Sequence, residues 1–199
     1  MGFISSGTTM FDNGALVASA GSQVLLSTAT ASASASLSFN STYINSDYLV
    51  YKFEFINIHG ATDGAIFTFN LSIDNGSNYN VTKTTTFFQA YHAENDAAAQ
   101  LVYDTGQDLA QSTSFQRIFV GGNDADQNGC GILTLFNPSS TTYVKHFISA
   151  NSGIQDNDYA INTYVAGYGN TTSAVNAIQF KFTSGNIDAG QIKLYGIKN

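Results

Sequence analysis

The sequence predicts an all-β fold, a two-sheet antiparallel sandwich of jelly-roll-like form with an extended N-terminal arm. Three observations carry that prediction. First, the stretch Leu49–Tyr79 alternates with period two: Leu49, Tyr51, Phe53 and Phe55 fall on one side of a run and Phe67, Phe69, Leu71 and Ile73 on one side of the next. Such alternation marks strands with one buried face. Second, the separators between apolar runs are rich in Gly, Asn, Asp and Ser, the residues that turns require. Third, about ten such runs follow one another with no longer internal repeat, which favours a sandwich over a propeller or solenoid.

Taken in order, residues 1–22 place Phe3, Ile4, Met10, Phe11 and Leu16 among small and polar residues, with glycines at 2, 7, 14 and 21. They read as an arm or edge strand that packs on something else, and residues 23–199 as the sandwich domain. Gln23–Phe39 alternates alanine with serine and threonine before ending in Leu37 and Phe39. Low complexity would suit a linker, but the strict alternation favours one strand whose small side chains admit a close neighbour. In the central stretch, the short connection His59–Gly64 predicts antiparallel neighbours, and Asp74–Ser77 contains the Asn-Gly pair of a two-residue hairpin. A meander is therefore expected, continued by a third strand over Asn78–Tyr91, rich in threonine. Ala93–Asp108 is the one place where a short helix fits. Strands resume at Phe115–Val120, Gly131–Phe136, Thr142–Ala150, Ala160–Tyr168, Ala177–Thr183 and Gln191–Ile197.

Composition narrows the function. The 199 residues suffice for one domain with a full core, and the net charge is −7 with a single arginine, Arg117, and six dispersed lysines. No basic patch exists to neutralise phosphates, so nucleic-acid binding is not expected. One cysteine, Cys130, excludes an intrachain disulfide and a thiolate zinc cluster. The opening residues lack a basic n-region and apolar core, and no segment reaches the length of roughly 18 apolar residues that a membrane helix needs. Folding in a cytoplasm without a membrane partner is the expectation, and the sequons at Asn40, Asn70, Asn75, Asn80 and Asn170 then read as chance matches. Gly2 and Ser6 fit a myristoylation pattern that is short and common.

Two local clusters could carry chemistry. Asp124, Asp126 and Asn128 followed by Gly129 reproduce the first half of a calcium loop, where alternate oxygen ligands converge on a hard cation. The position of the closing glutamate is Leu135, so a solvated hairpin loop is the plainer reading. His92, Glu94 and Asp96 share one short stretch, but no second element supplies partners for acid–base work. His59 and His146 stand alone, the latter as a sheet-face or subunit-contact residue. Without a nucleophile elbow, phosphate loop or zinc-binding helix motif, no enzyme activity and no cofactor other than calcium is expected. Tyrosines on exposed faces could stack sugars, though aromatic alternation is first of all core packing.

The segments Tyr51–Asn80, Leu135–Phe147 and Phe180–Ile197, the last carrying Ser184, Gly185 and Ile187 and then Gly190, Ile192 and Leu194–Ile197, resemble small virion structural proteins of tailed phages, especially those of marine and cyanobacterial hosts. The likeness runs from about Asp47 onward. It implies a jelly-roll-like virion component without catalytic residues. Within that group a compact sandwich behind a glycine-rich arm suits a capsid cement or decoration protein on the outer capsid surface. Such a protein, a trimer in the favoured form, would lay Phe3, Ile4, Met10, Phe11 and Leu16 across neighbouring major capsid subunits. The competing reading is a tail-associated adhesin that recognises a host glycan.

Overall fold

The computed structural model describes residues 22–197 in full and, before them, the backbone of Phe3–Ser5, Thr8–Asp12 and Ala15–Leu16. These three short strands, β1, β2 and β3, pair antiparallel as a small sheet of their own. The side chains of Phe3, Ile4, Met10, Phe11 and Leu16, the expected partner contacts, lie outside the described residues.

The sandwich is built from β4 (Gln23–Thr30), β5 (Leu37–Phe39), β6 (Val50–Gly60), β7 (Ala65–Ser72), β8 (Lys83–Ala93) and β9 (Ala99–Tyr103). It continues with β10 (Gln116–Gly121), β11 (Gly129–Phe136), β12 (Lys145–Gln155), β13 (Tyr159–Gly169), β14 (Ala177–Phe182) and β15 (Ile187–Ile197). One sheet has eight strands in the order β4-β15-β6-β11-β12-β13-β8-β9, and the facing sheet has four in the order β10-β7-β14-β5. With the pairs β8–β9 and β12–β13 set aside, every remaining strand pairs with its mirror image along the chain: β4 with β15, β5 with β14, β6 with β11 and β7 with β10. A long hairpin rolled up on itself gives this connectivity, which is that of a jelly roll. The two set-aside pairs extend only the larger sheet.

Rolling the hairpin overturns the expected meander. β6 and β7 face each other from opposite sheets, so His59–Gly64 is a corner between layers and not a hairpin turn. The Asn-Gly turn does form, with Asn75 and Gly76 at φ of 59° and 87° and Ser77 N donating to the Asp74 carbonyl at 3.3 Å. It launches the chain toward the other sheet, since β8 pairs with β13 and β9 and not with β7. Turn chemistry fixes a local reversal but does not choose the partner strand, which here is remote in sequence.

The alanine–serine run is two strands and not one. It leaves the larger sheet at Thr30, turns through Ala33 at φ 49°, and enters the smaller sheet at Leu37. Only Ala31 of this corner is buried, and the backbone of Ala31–Ser34 bonds to that of Ile187–Gly190. Ala93–Asp108 holds no helix; the chain turns at Asp96 and returns as the edge strand β9.

Between the sheets lies a core of phenylalanines. Phe53, Phe55, Phe67 and Phe69 all pack within 6.4 Å of Phe180, centroid to centroid, and are essentially inaccessible. Burying each contributes about 1.5–3 kcal/mol. The expected inward face of Tyr51, Phe53, Phe55, Phe67, Phe69 and Leu71 is thus observed, while Leu49 and Ile73 at its ends remain exposed.

Candidate functional site

The larger sheet has twice the strands of the smaller one, and since β10 lies over β12 and β13, it overhangs the smaller sheet by β8 and β9. At about 4.8 Å per strand the overhang spans roughly 10 Å. The larger sheet carries two features, one on each face.

On the outer face, register aligns Ile132, Ala150, Tyr164, Phe88 and Tyr103 in one row across β11, β12, β13, β8 and β9. Thr134, Ile148, Ala166 and Thr86 form the next row, and Cys130, Ser152, Asn162, Ala90 and Leu101 the row on the other side. Phe88 stacks on Tyr164 at 5.0 Å with the rings 14° from parallel. These side chains are open to solvent: Leu101 is 74% exposed, Ile148 54%, Tyr164 42% and Phe88 40%. No Asp, Glu, Lys or Arg occupies any outward position of these five strands. The charges of this face sit at its far end, where Lys52 and Glu54 pair at 2.8 Å beside Lys193. A solvated sheet face normally alternates toward polar residues, and a contiguous apolar patch marks a surface that is covered in use. His146 lies at the margin of the patch, 5.9 Å from the Tyr168 ring, as a sheet-face residue.

On the inner face, the edge strand β10 lies over β12 and β13 and leaves a cleft beneath it. The cleft has a volume of about 390 Å³ and is lined by Gln89, Tyr91, Arg117, Gln155, Asn157 and Tyr159 among others. Arg117 projects from β10 with its guanidinium 5.1 Å from the Phe87 ring centre. Its Nη2 reaches Gln89 Oε1 at 3.4 Å, and its Nε is buried without an acceptor. Burial lowers the Arg117 pKa, an effect that Asp104 partly offsets, yet guanidinium remains charged. Deeper under β10, Thr163 Oγ1 donates to the Ile118 carbonyl at 2.7 Å, so an edge-strand carbonyl finds its partner on the opposite sheet.

The clusters singled out from sequence fall elsewhere. Asp124, Asp126 and Asn128 lie on the β10–β11 loop, and Asp126 and Asn128 line a surface cleft of about 550 Å³ with Asn57, His59 and Asp188. His59 Nε2 is 3.2 Å from the Asp124 carbonyl and its Nδ1 3.7 Å from Asp188 Oδ2. The loop is anchored by Gln127, whose Oε1 accepts from Asp124 N and whose Nε2 donates to Asp158 Oδ1 at 3.1 Å. Asp124 and Asp126 point to solvent and Asn128 Nδ2 donates to the Asp126 carbonyl at 3.3 Å. Among the described residues no three His, Cys, Asp or Glu side chains gather closely enough to hold a metal ion. His92 lies near the end of β8 and Glu94 and Asp96 in the exposed β8–β9 turn, where His92 Nε2 and Asp96 Oδ1 approach to 2.9 Å and Glu94 joins neither. Sequence reasoning missed both features of the larger sheet. The signal for the outer face was present in the run His146, Ile148, Ala150, Ser152, an alternate register with no formal charge, but only the sheet order shows that four neighbouring strands repeat it.

No helix among the described residues is long and apolar enough to cross a membrane. No family model, no curated protein and no solved structure matches the chain.

Proposed function

We propose that the chain is a virion structural protein, a capsid cement or decoration component that acts by burying surface and not by chemistry. The observation that supports it is the charge-free outer face of β11, β12, β13, β8 and β9. Five strands with about four outward positions each on average make a surface about 24 Å by about 27 Å, roughly 650 Å². That is close to the ~800 Å² per partner which a standard stable contact buries. An uncharged sheet face gains little from solvent and repels neither a second copy nor an apolar shelf on the shell. In this reading the sandwich assembles as a homo-oligomer, a trimer in the favoured form, on the major capsid protein, and residues 1–22 reach adjoining subunits.

The test is capsid occupancy. The double variant Ile148→Glu, Tyr164→Glu should fold and melt like the parent yet fail to oligomerise and to saturate capsids lacking the protein. Removal of residues 1–20 should likewise leave a folded sandwich that no longer binds. Full occupancy by both variants would sink the proposal. The tail-adhesin alternative draws support from the aromatic, arginine-bearing cleft, and copy number separates the two: hundreds of copies per particle for a shell component, on the order of a dozen for a tail component.

A further inference from the structure

We propose that the cleft under β10 is a binding site for an acidic saccharide, a hydroxylated ring carrying a carboxylate, with Arg117 as the carboxylate anchor. This goes beyond the assembly role and does not depend on what covers the outer face.

The cleft holds a cation without a counter-ion among the described residues. Arg117 is the chain's only arginine, and it is half-buried in the wall of the cleft. No carboxylate pairs with it among the described residues, and Asp104 is close enough only to influence its proton affinity. The one hydrogen bond it makes, 3.4 Å to Gln89, is long, and Nε has none. A guanidinium drawn partly out of water with no carboxylate beside it is well placed to take an anionic ligand. Its planar fork matches a carboxylate in bidentate fashion better than any neutral acceptor.

The rest of the lining selects the body of the ligand. Tyr91 and Tyr159 meet edge to face at 5.6 Å, and Tyr91 is held by its hydroxyl donating to Gln100 Oε1 at 2.6 Å. Their rings offer fixed apolar walls of the kind that a sugar ring stacks on. The side-chain amides of Gln155 and Asn157 make no hydrogen bond among the described residues, and each provides both donor and acceptor for hydroxyl groups. A volume of about 390 Å³ falls in the range of small-molecule sites and holds one or two sugar units. A peptide backbone would satisfy the same amides, and it is the fixed pair of tyrosine rings, suited to the apolar face of a sugar ring, that favours the saccharide.

The experiment compares wild-type protein against oligosaccharides ending in glucuronate or N-acetylneuraminate and their neutral counterparts ending in glucose or galactose, by ligand-observed NMR and calorimetry. An acidic ligand should bind at least about tenfold more tightly than its neutral counterpart. Arg117→Gln should abolish that preference, and Gln155→Ala should weaken acidic and neutral ligands alike with melting temperature unchanged. If Arg117→Gln fails to fold, the wild-type preference together with Gln155→Ala still decides the matter. Equal affinity for acidic and neutral sugars, no binding of any at millimolar concentration, undiminished binding by a folded Arg117→Gln protein, or tighter binding of a carboxylate-terminated peptide would each overturn the assignment.

Discussion

Lys83 donates its ammonium protons to Asn70 Oδ1 and, at 2.9 Å, to the Val81 carbonyl, in a fully buried position with no carboxylate paired to it among the described residues. Lys145 is its near counterpart: both lysines pair with Gly169 in the register, and Lys145 Nζ donates to the carbonyls of Tyr143 and Thr171. Each amine thus has two acceptors, enough for the two protons of a neutral amine but not for the three of an ammonium.

That arrangement makes stability depend on pH in a defined direction. Burial pushes the Lys83 pKa down to about 7 from 10.5. Between those values the unfolded chain binds a proton that the folded chain does not, so stability rises with pH through the window and is flat below it. The slope from this one group reaches at most about 1.4 kcal/mol per pH unit. Urea denaturation of wild type and Lys83→Met from pH 6 to pH 10 should show the stability difference moving in favour of wild type as pH rises. Parallel profiles would show that the amine stays charged inside the fold.

Asp74 gives the opposite dependence at the acidic end. Its Oδ1 accepts from Ser72 Oγ at 2.7 Å and Asn78 N at 2.9 Å, and its Oδ2 from Asn78 Nδ2 at 2.7 Å. These bonds, the one from Ser72 first, hold the carboxyl at about 2, below its ordinary 3.8. A depressed carboxylate stabilises the fold above its unfolded pKa and loses that effect as pH falls through the folded one. Melting temperature should therefore fall more steeply between pH 4 and pH 2 in wild type than in Asp74→Asn. Identical acid limbs would count against the turn as a source of stability.

Backbone strain gathers at the irregular stretch where β15 pairs with β6. Gly190 has φ of 109°, and a β-carbon on it would stand 2.8 Å from both Asn57 C and Ile58 Cα. Asn57 opposite is itself at φ 51°, and the register shifts on either side of Ala189. Neither the conformation nor the space tolerates a side chain, so Gly190→Ala should cost about 2–4 kcal/mol. A melting temperature within a degree or two of wild type would refute the close approach.

What the sequence made legible follows period and turn chemistry. Tyr51, Phe53, Phe55, Phe67, Phe69 and Leu71 announce a buried face because alternation is local, and Asn75-Gly76 announces its turn because positive φ is local. Partner choice is not local. The Tyr51–Leu135 and Phe69–Gln116 pairings join residues far apart in the chain, and nothing in either segment distinguishes them from an adjacent hairpin. The alanine–serine run misleads for the same reason: its alternation persists through Ala31–Ser36, but the chain turns a corner there. The arginine cleft was hidden because Arg117 alternates with Gln116 and Ile118 like any strand residue, and only the unequal width of the two sheets opens a space before it.

The two faces of the larger sheet should respond differently to substitution. On the inner face, Thr163 Oγ1 supplies the Ile118 carbonyl with its cross-sheet donor, and Asn151 Nδ2 leans on the same hydroxyl at 3.4 Å. Thr163→Val keeps the shape but leaves a buried carbonyl without a donor, which should lower stability by about 1–3 kcal/mol. On the outer face, Phe88→Ala removes only a solvent-facing stack on Tyr164 and should cost the isolated sandwich at most about 1 kcal/mol. If the outer face is the contact surface, Phe88→Ala should instead weaken self-association or capsid binding, while Thr163→Val at a temperature where it remains folded should not. Denaturation and sedimentation of the two variants side by side read both effects. A Phe88→Ala protein that loses stability but associates normally would assign the aromatic row to the fold and remove the main support for its role in assembly.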